Sequence, residues 1–216
     1  LMVSRGIGAV REALLNAEEP NAESQQIEPQ QAELGDDPYR GTDEANAALF
    51  LSLHGADVRY CPPWEKWLLW TGSHWRIDDL MDVTRLAGDL PRELYQKAGK
   101  ETDSDRRRTI AKLARVLESR RRQNDLLAAA RCRVVVSHTG LDKNRFLLNA
   151  KNGTIDLSTG ERREHRRGDL LTHDTEIPYK PDANASIWER FLSEIFAGDT
   201  DLIRFVQRAV GYSLTG

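Results

Sequence analysis

Residues 145–166 read RFLLNAKNGTIDLSTGERREHR, and this stretch decides the fold class. Its β-rich runs are cut by two reversal signals: Asn152-Gly153, the preferred pair for a type I′ hairpin turn, and Ser158-Thr159-Gly160. Together they predict a three-stranded meander over about residues 145–166. A type I′ turn asks for φ > 0 at both central positions, so Asn152 and Gly153 have a structural reason to be there, not a catalytic one.

Upstream of the meander, Val134-Val135-Val136 is a short β-branched run. Before it lies the most strongly periodic segment, about residues 104–130, which predicts one helix with Ile110, Leu113 and Leu117 as its apolar stripe. On the same helical wheel Arg108, Lys112, Arg115 and Arg122 fall on the opposite face and make a cationic ridge. Such a ridge suits a phosphate backbone, because each neutralised phosphate releases condensed counterions. An ordinary solvated helix face reads the same way, and Asp105, Glu118 and Asp125 dilute the charge.

Nearer the N-terminus, Thr42 can cap a helix with Ala45, Ala48, Leu49 and Leu53 inward and Gly55 as its stop. KWLLWTGSHWRI, residues 66–77, predicts a hairpin around Thr71 to His74, with Trp67 and Leu69 on one face and Leu68 and Trp70 on the other. A moderately amphipathic helix follows over 82–94, with Val83, Leu86 and Leu90 in step. Downstream, Pro178 and Pro181 break the chain. Ser186 opens a helix carrying Trp188, Phe191, Leu192 and Ile195, closed by Gly198, and Asp199 or Thr200 caps another that turns Leu202, Val206, Ala209 and Val210 inward.

The chain has 216 residues and a net charge of −3. Residues 1–38 hold two basic and eight acidic residues, so the remainder is net positive. The acidic stretch is rich in Glu, Gln, Ala and Pro and lacks aromatics, which predicts a disordered linker over 1–41, with at most a short helix over 7–15. No apolar run is long enough to span a bilayer, and Arg5, Arg11 and Glu12 interrupt the N-terminal stretch where a signal peptide would be apolar, so a cytoplasmic location is expected. Cys61 and Cys132 make no disulfide framework and read as reduced thiols.

Signatures of chemistry are mostly missing. No G-x-x-x-x-G-K-[ST], G-x-G-x-x-G or G-x-S-x-G occurs. The five histidines, His54, His74, His138, His165 and His173, lack zinc-site spacing, so no metal is expected. Asp78-Asp79 has nothing beside it to shift a pKa. The tryptophans Trp64, Trp67, Trp70 and Trp75 could stack unpaired bases, but they suit the core of a small sheet better.

Four stretches carry a family resemblance: TDEANAALFLSLHGADVRY from Thr42, KWLLWTGSHWRID from Lys66, FLLNAKNGTIDLSTGERREHRRGDLLT from Phe146, and WERFLSEIFAGDTDLIRFVQRAVGYSLTG from Trp188. In this order they resemble the region before the ATPase motor of phage and plasmid primase-helicases, the superfamily-three group shared with poxvirus primase-helicases and satellite-phage replication proteins. Glycine is the more usual residue of that pattern where Ala45 stands.

The resemblance implies an α+β chain: a helical and β-hairpin/meander upstream domain over 42–183, then the first helices of a truncated helicase domain over 184–216. The parent protein would be a hexameric, ATP-driven DNA helicase of a bacterial host or phage-infected cell, with ATP and Mg bound only in its motor. This segment carries no P-loop and no catalytic residue of that family. Its expected roles are ring assembly and guidance of single-stranded or forked DNA, with Arg108, Lys112, Arg115 and Arg122 as the candidate surface. A protein-interaction or collar module without DNA binding is the competing expectation, and no membrane role is expected.

Overall fold

A computed structural model of the chain describes residues 37–215. The expected acidic linker and its short helix lie, up to residue 36, outside the described residues. Among the described residues the fold is α+β, with six α-helices and two small antiparallel sheets. The described residues divide into two compact units, one of residues 37–71 and 75–141, the other of 72–74 and 142–215.

The first unit opens with α1 (Asp43–His54), capped by Thr42, whose hydroxyl accepts from the Ala45 amide at 3.2 Å, and stopped at Gly55. Ala45 to Leu51 are all buried, whereas Leu53, expected inside, is half exposed. The helix is enclosed around its first half and wet at its end, so a one-sided stripe describes it poorly. Strands β1 (Val58–Cys61), β2 (Lys66–Trp70) and β3 (Trp75–Ile77) form a meander, with Trp70 opposite Trp75 in register. Leu68 is fully buried while Trp67 and Leu69 pack against the helical core, as the alternation predicts.

The Val134 to Val136 run forms no full strand. It adds to the free edge of β1 through Tyr60, whose amide donates to the Val134 carbonyl at 2.8 Å and whose carbonyl accepts from the Val136 amide at 2.9 Å. That pairing satisfies an otherwise open edge.

Helix α2 (Asp82–Lys100) runs further than the 82–94 expectation and continues through Gly88 and Pro91. Asp78 caps it from the preceding loop, accepting from the amides of Asp82 and Val83 at 2.7 and 2.9 Å. Val83, Ala87, Leu90, Leu94 and Ala98 bury its inner face.

The single helix expected over 104–130 is two helices, α3 (Ser104–Leu117) and α4 (Arg120–Arg131). The reason is phase. At 3.6 residues per turn, a continuous helix would set Leu117 and Leu126 on opposite sides, yet both are fully buried. Breaking at Glu118-Ser119 lets each stripe reach the core. Gln123, itself buried, closes the break by donating from Nε2 to the Leu117 carbonyl at 2.9 Å. α3 packs chiefly on α2, and α4 on α1.

In the second unit the predicted meander is present as β4 (Leu147–Ala150), β5 (Gly153–Asp156) and β6 (Arg162–Arg163), around Ala150, Ile155 and Leu157. Its first turn differs from the type I′ expectation. Ala150 pairs with Gly153, so the loop residues are Lys151-Asn152, and Gly153 opens β5 with φ of 146°, while Asn152 is not left-handed. Asn152 instead holds a later segment, exchanging side-chain hydrogen bonds with the carbonyl and amide of Tyr179 at 3.0 and 2.8 Å.

The last two helices are α5 (Ser186–Ile195) and α6 (Thr200–Tyr212), the latter capped by Asp199. Only Leu192 of the expected inward set is fully buried. Phe191, Ile195, Leu202 and Val210 are exposed, as are Ile187 and Phe205.

Candidate nucleic-acid interface

Residues 104–133 carry ten basic and three acidic side chains, in a chain whose net charge is −3. The structure turns this run into α3, α4 and the short segment after them. Arg108, Lys112 and Arg115 stand one turn apart on the exposed face of α3, opposite buried Ile110, Leu113 and Leu117. Arg108 has Asp105 at 3.3 Å, a fully solvated pair of little energetic weight. No carboxylate among the described residues pairs with Lys112 or Arg115.

Arg122 does not extend that row. It lies on α4, past the break, with Nη1 3.4 Å from Asp43 at the start of α1. The four candidates therefore form a three-residue row on α3 and a separate cation on the α1–α4 pair. Arg133 is similarly held by Glu44 at 2.5 Å.

Simple counting of the run would have added two groups that the wheel passed over. Arg106 and Arg107 lie at the start of α3, with Arg106 facing Glu101 at 3.4 Å and Arg107 donating to the carbonyl of Glu101. Arg120 and Arg121 stand with Arg122 in the first turn of α4, which has no acidic residue there. Helix dipoles disfavour cations at that end by about 0.3–1 kcal/mol each.

Between α2 and the α3–α4 break lies an open cleft of about 550 Å³, lined by Gly88, Pro91, Arg92, Tyr95, Gln96, Glu118 and Gln123. The Tyr95 hydroxyl donates to Glu118 at 3.1 Å. Partial desolvation, and then that hydrogen bond, push the Tyr95 pKa above its ordinary value, while nearby Arg115 acts in the opposite direction. Arg120 donates to Gln123 Oε1 at 3.3 Å, which brings its guanidinium to the same rim.

Trp67, Trp70 and Trp75 belong to the first sheet. Trp75 is buried, with Trp70 at 5.6 Å between ring centroids and the Arg59 guanidinium 4.9 Å from its own ring, while Trp64 remains partly exposed near His138. Cys61 and Cys132 are both free thiols.

In the second unit, Ser73, His74 and Asp174 lie together, but the order is wrong for a nucleophile. His74 Nδ1 faces both Ser73 Oγ, at 2.9 Å, and Asp174, at 3.2 Å, whereas a base needs one ring nitrogen for each partner. Beside them, buried Asn149 donates to the carbonyls of Ser73 and His173 and accepts from Thr154, with His165 Nδ1 at 2.8 Å. This is a structural knot. Among the described residues there is no cluster of histidine, cysteine and carboxylate side chains able to hold a metal, and no helix long and apolar enough to cross a membrane.

An α+β chain of this order, with its NGTIDLSTGE meander, has a clear relation among known families. Residues 47–197 match the family described as D5 N terminal like, the N-terminal domain of phage, plasmid and poxvirus D5-type primase-helicases. The chain belongs to that family. The relation associates it with replication in a phage or plasmid setting. No curated protein matches it.

Proposed function

We propose that this chain is the accessory N-terminal portion of a primase-helicase, whose α3–α4 face engages single-stranded or forked DNA for a hexameric motor to unwind. ATP and Mg would act in that motor, not in these residues. The observation that carries the reading is the excess of cations over residues 104–133, ten against three, on helices whose inner faces are already committed to the core. Charge at this density costs the folded state through self-repulsion and attracts polyanions.

Fluorescence anisotropy with labelled single-stranded and forked DNA at low salt tests it. Binding that is lost on combining Arg108→Glu with Arg115→Glu supports the reading. No binding, or binding indifferent to both substitutions, removes it.

A collar without DNA contact is favoured by a different observation, the exposed apolar residues Ile187, Phe191, Ile195, Leu202 and Phe205 of α5 and α6. Exposed apolar surface of this kind suits protein association. Sedimentation of the chain at rising concentration, with and without Phe191→Glu and Phe205→Glu, separates that role from the first.

A further inference from the structure

The cleft at the α3–α4 break has a composition that the cationic row does not explain. Its lining joins Gly88, Pro91 and Tyr95 of α2 to Glu118 and Gln123 at the break. Tyr95 is 42 % exposed, a high value for an aromatic ring on a helix that otherwise buries its apolar residues. Gly88 leaves room in the lining without steric need, since an added Cβ would meet only Gln123 Oε1, at 3.8 Å. Cations stand around the opening: Arg92 in the lining, Arg120 bonded to Gln123, and Arg115 close enough to act on Tyr95.

A flat apolar surface framed by cations fits a polyanion that carries flat apolar appendages. Duplex DNA hides those appendages in its stack, and a single strand presents them. At about 550 Å³ the cleft lies within the usual range for sites that take a small ligand. We infer that the cleft accepts an unpaired base of single-stranded DNA, stacked on Tyr95, while Arg92, Arg115 and Arg120 receive the flanking phosphates. Resting on the proposal that the α3 row engages DNA, this assigns the chain a preference for single over double strands. Glu118 now occupies the Tyr95 hydroxyl and is an acceptor for a base amino group, so the carboxylate has a use in the cleft despite its charge.

The test compares a labelled oligonucleotide, the same oligonucleotide made abasic throughout, and the corresponding duplex, in anisotropy titrations at one salt concentration. Base stacking on an aromatic ring predicts about a tenfold weaker affinity for the abasic strand. Tyr95→Ala should weaken the normal strand by a similar factor and leave the abasic strand unchanged, while Tyr95→Phe, which keeps the ring, should bind as wild type. Gly88→Leu, which adds bulk to the lining and suits a helix better than glycine, should act like Tyr95→Ala. Equal affinity for normal and abasic strands, with loss only on Arg108→Glu and Lys112→Glu, overturns the base site and leaves the cationic row standing. No binding of any of the three nucleic acids overturns both.

Discussion

Tyr95 of α2 donates a hydrogen bond of 3.1 Å to Glu118, the residue that follows the last turn of α3 as its C-cap. The two are 23 positions apart, and both line the cleft. It ties the long helix to the break that separates the two basic helices.

This bond has a direct spectroscopic consequence. Desolvation raises the Tyr95 pKa first and the Glu118 carboxylate second, so Glu118→Gln, which removes that charge, should bring it part of the way back toward its ordinary value of 10.0. Titration of ¹³C-labelled tyrosine by NMR reads this site by site. An unchanged Tyr95 midpoint would show that the bond does not persist in solution.

His54 makes stability depend on pH. Burial lowers its pKa below the ordinary 6.5, against the opposing pull of Glu93, Asp57 and Asp89. As pH falls through 6.5 the unfolded chain takes up a proton that the folded chain refuses, so stability present above that value is lost below it. His54→Gln should flatten the fall in denaturation midpoint between about pH 7 and pH 5. Parallel pH profiles for the two proteins would refute this assignment.

Asn46 is fully buried on α1, and neither its Nδ2 nor its Oδ1 has a hydrogen-bond partner among the described residues. Leaving polar groups in that state costs about 1–3 kcal/mol, and an apolar side chain of similar branching escapes the cost. Asn46→Leu should therefore raise stability by about 1 kcal/mol in urea melts. A loss of that size instead would mean that an internal water or a partner satisfies the amide.

Gly153 meets two obstacles to substitution at once. Its φ is 146°, and a Cβ there would lie 2.5 Å from the carbonyl oxygen of Arg163 on β6. Gly153→Ala should cost about 1–3 kcal/mol and loosen the second sheet, seen as faster amide exchange in β5 and β6. A neutral result would show that β6 moves aside freely.

The fold was legible where local chemistry decides it. Thr42, Asp199 and the alternation from Trp67 to Trp70 place their elements because caps and strand periods act over a few residues. The α3–α4 break was legible too, in the half-turn offset between Leu117 and Leu126, but a search for one continuous stripe passes over it. Gly153 was read correctly as a residue that needs positive φ and wrongly as a turn centre, because the close approach of Arg163 comes from the third strand.

Of the candidate surface, Arg108, Lys112 and Arg115 share one face as the spacing implies, while the pairing of Arg122 with Asp43 depends on how α4 packs on α1. The cleft lay beyond sequence reasoning altogether. Gly88, Tyr95 and Glu118 have no short spacing in common and meet only through the packing of α2 on α3.

The salt dependence of single-strand binding tests the central claim most directly. For single strands the slope of log K against log salt is about −0.7 per neutralised phosphate, so a face engaging four phosphates should give roughly −3. Combining Arg108→Glu with Arg115→Glu should lower the affinity and reduce that slope by at least about 1.4. A wild-type slope near zero, or the same slope in both proteins, would contradict DNA engagement by this face.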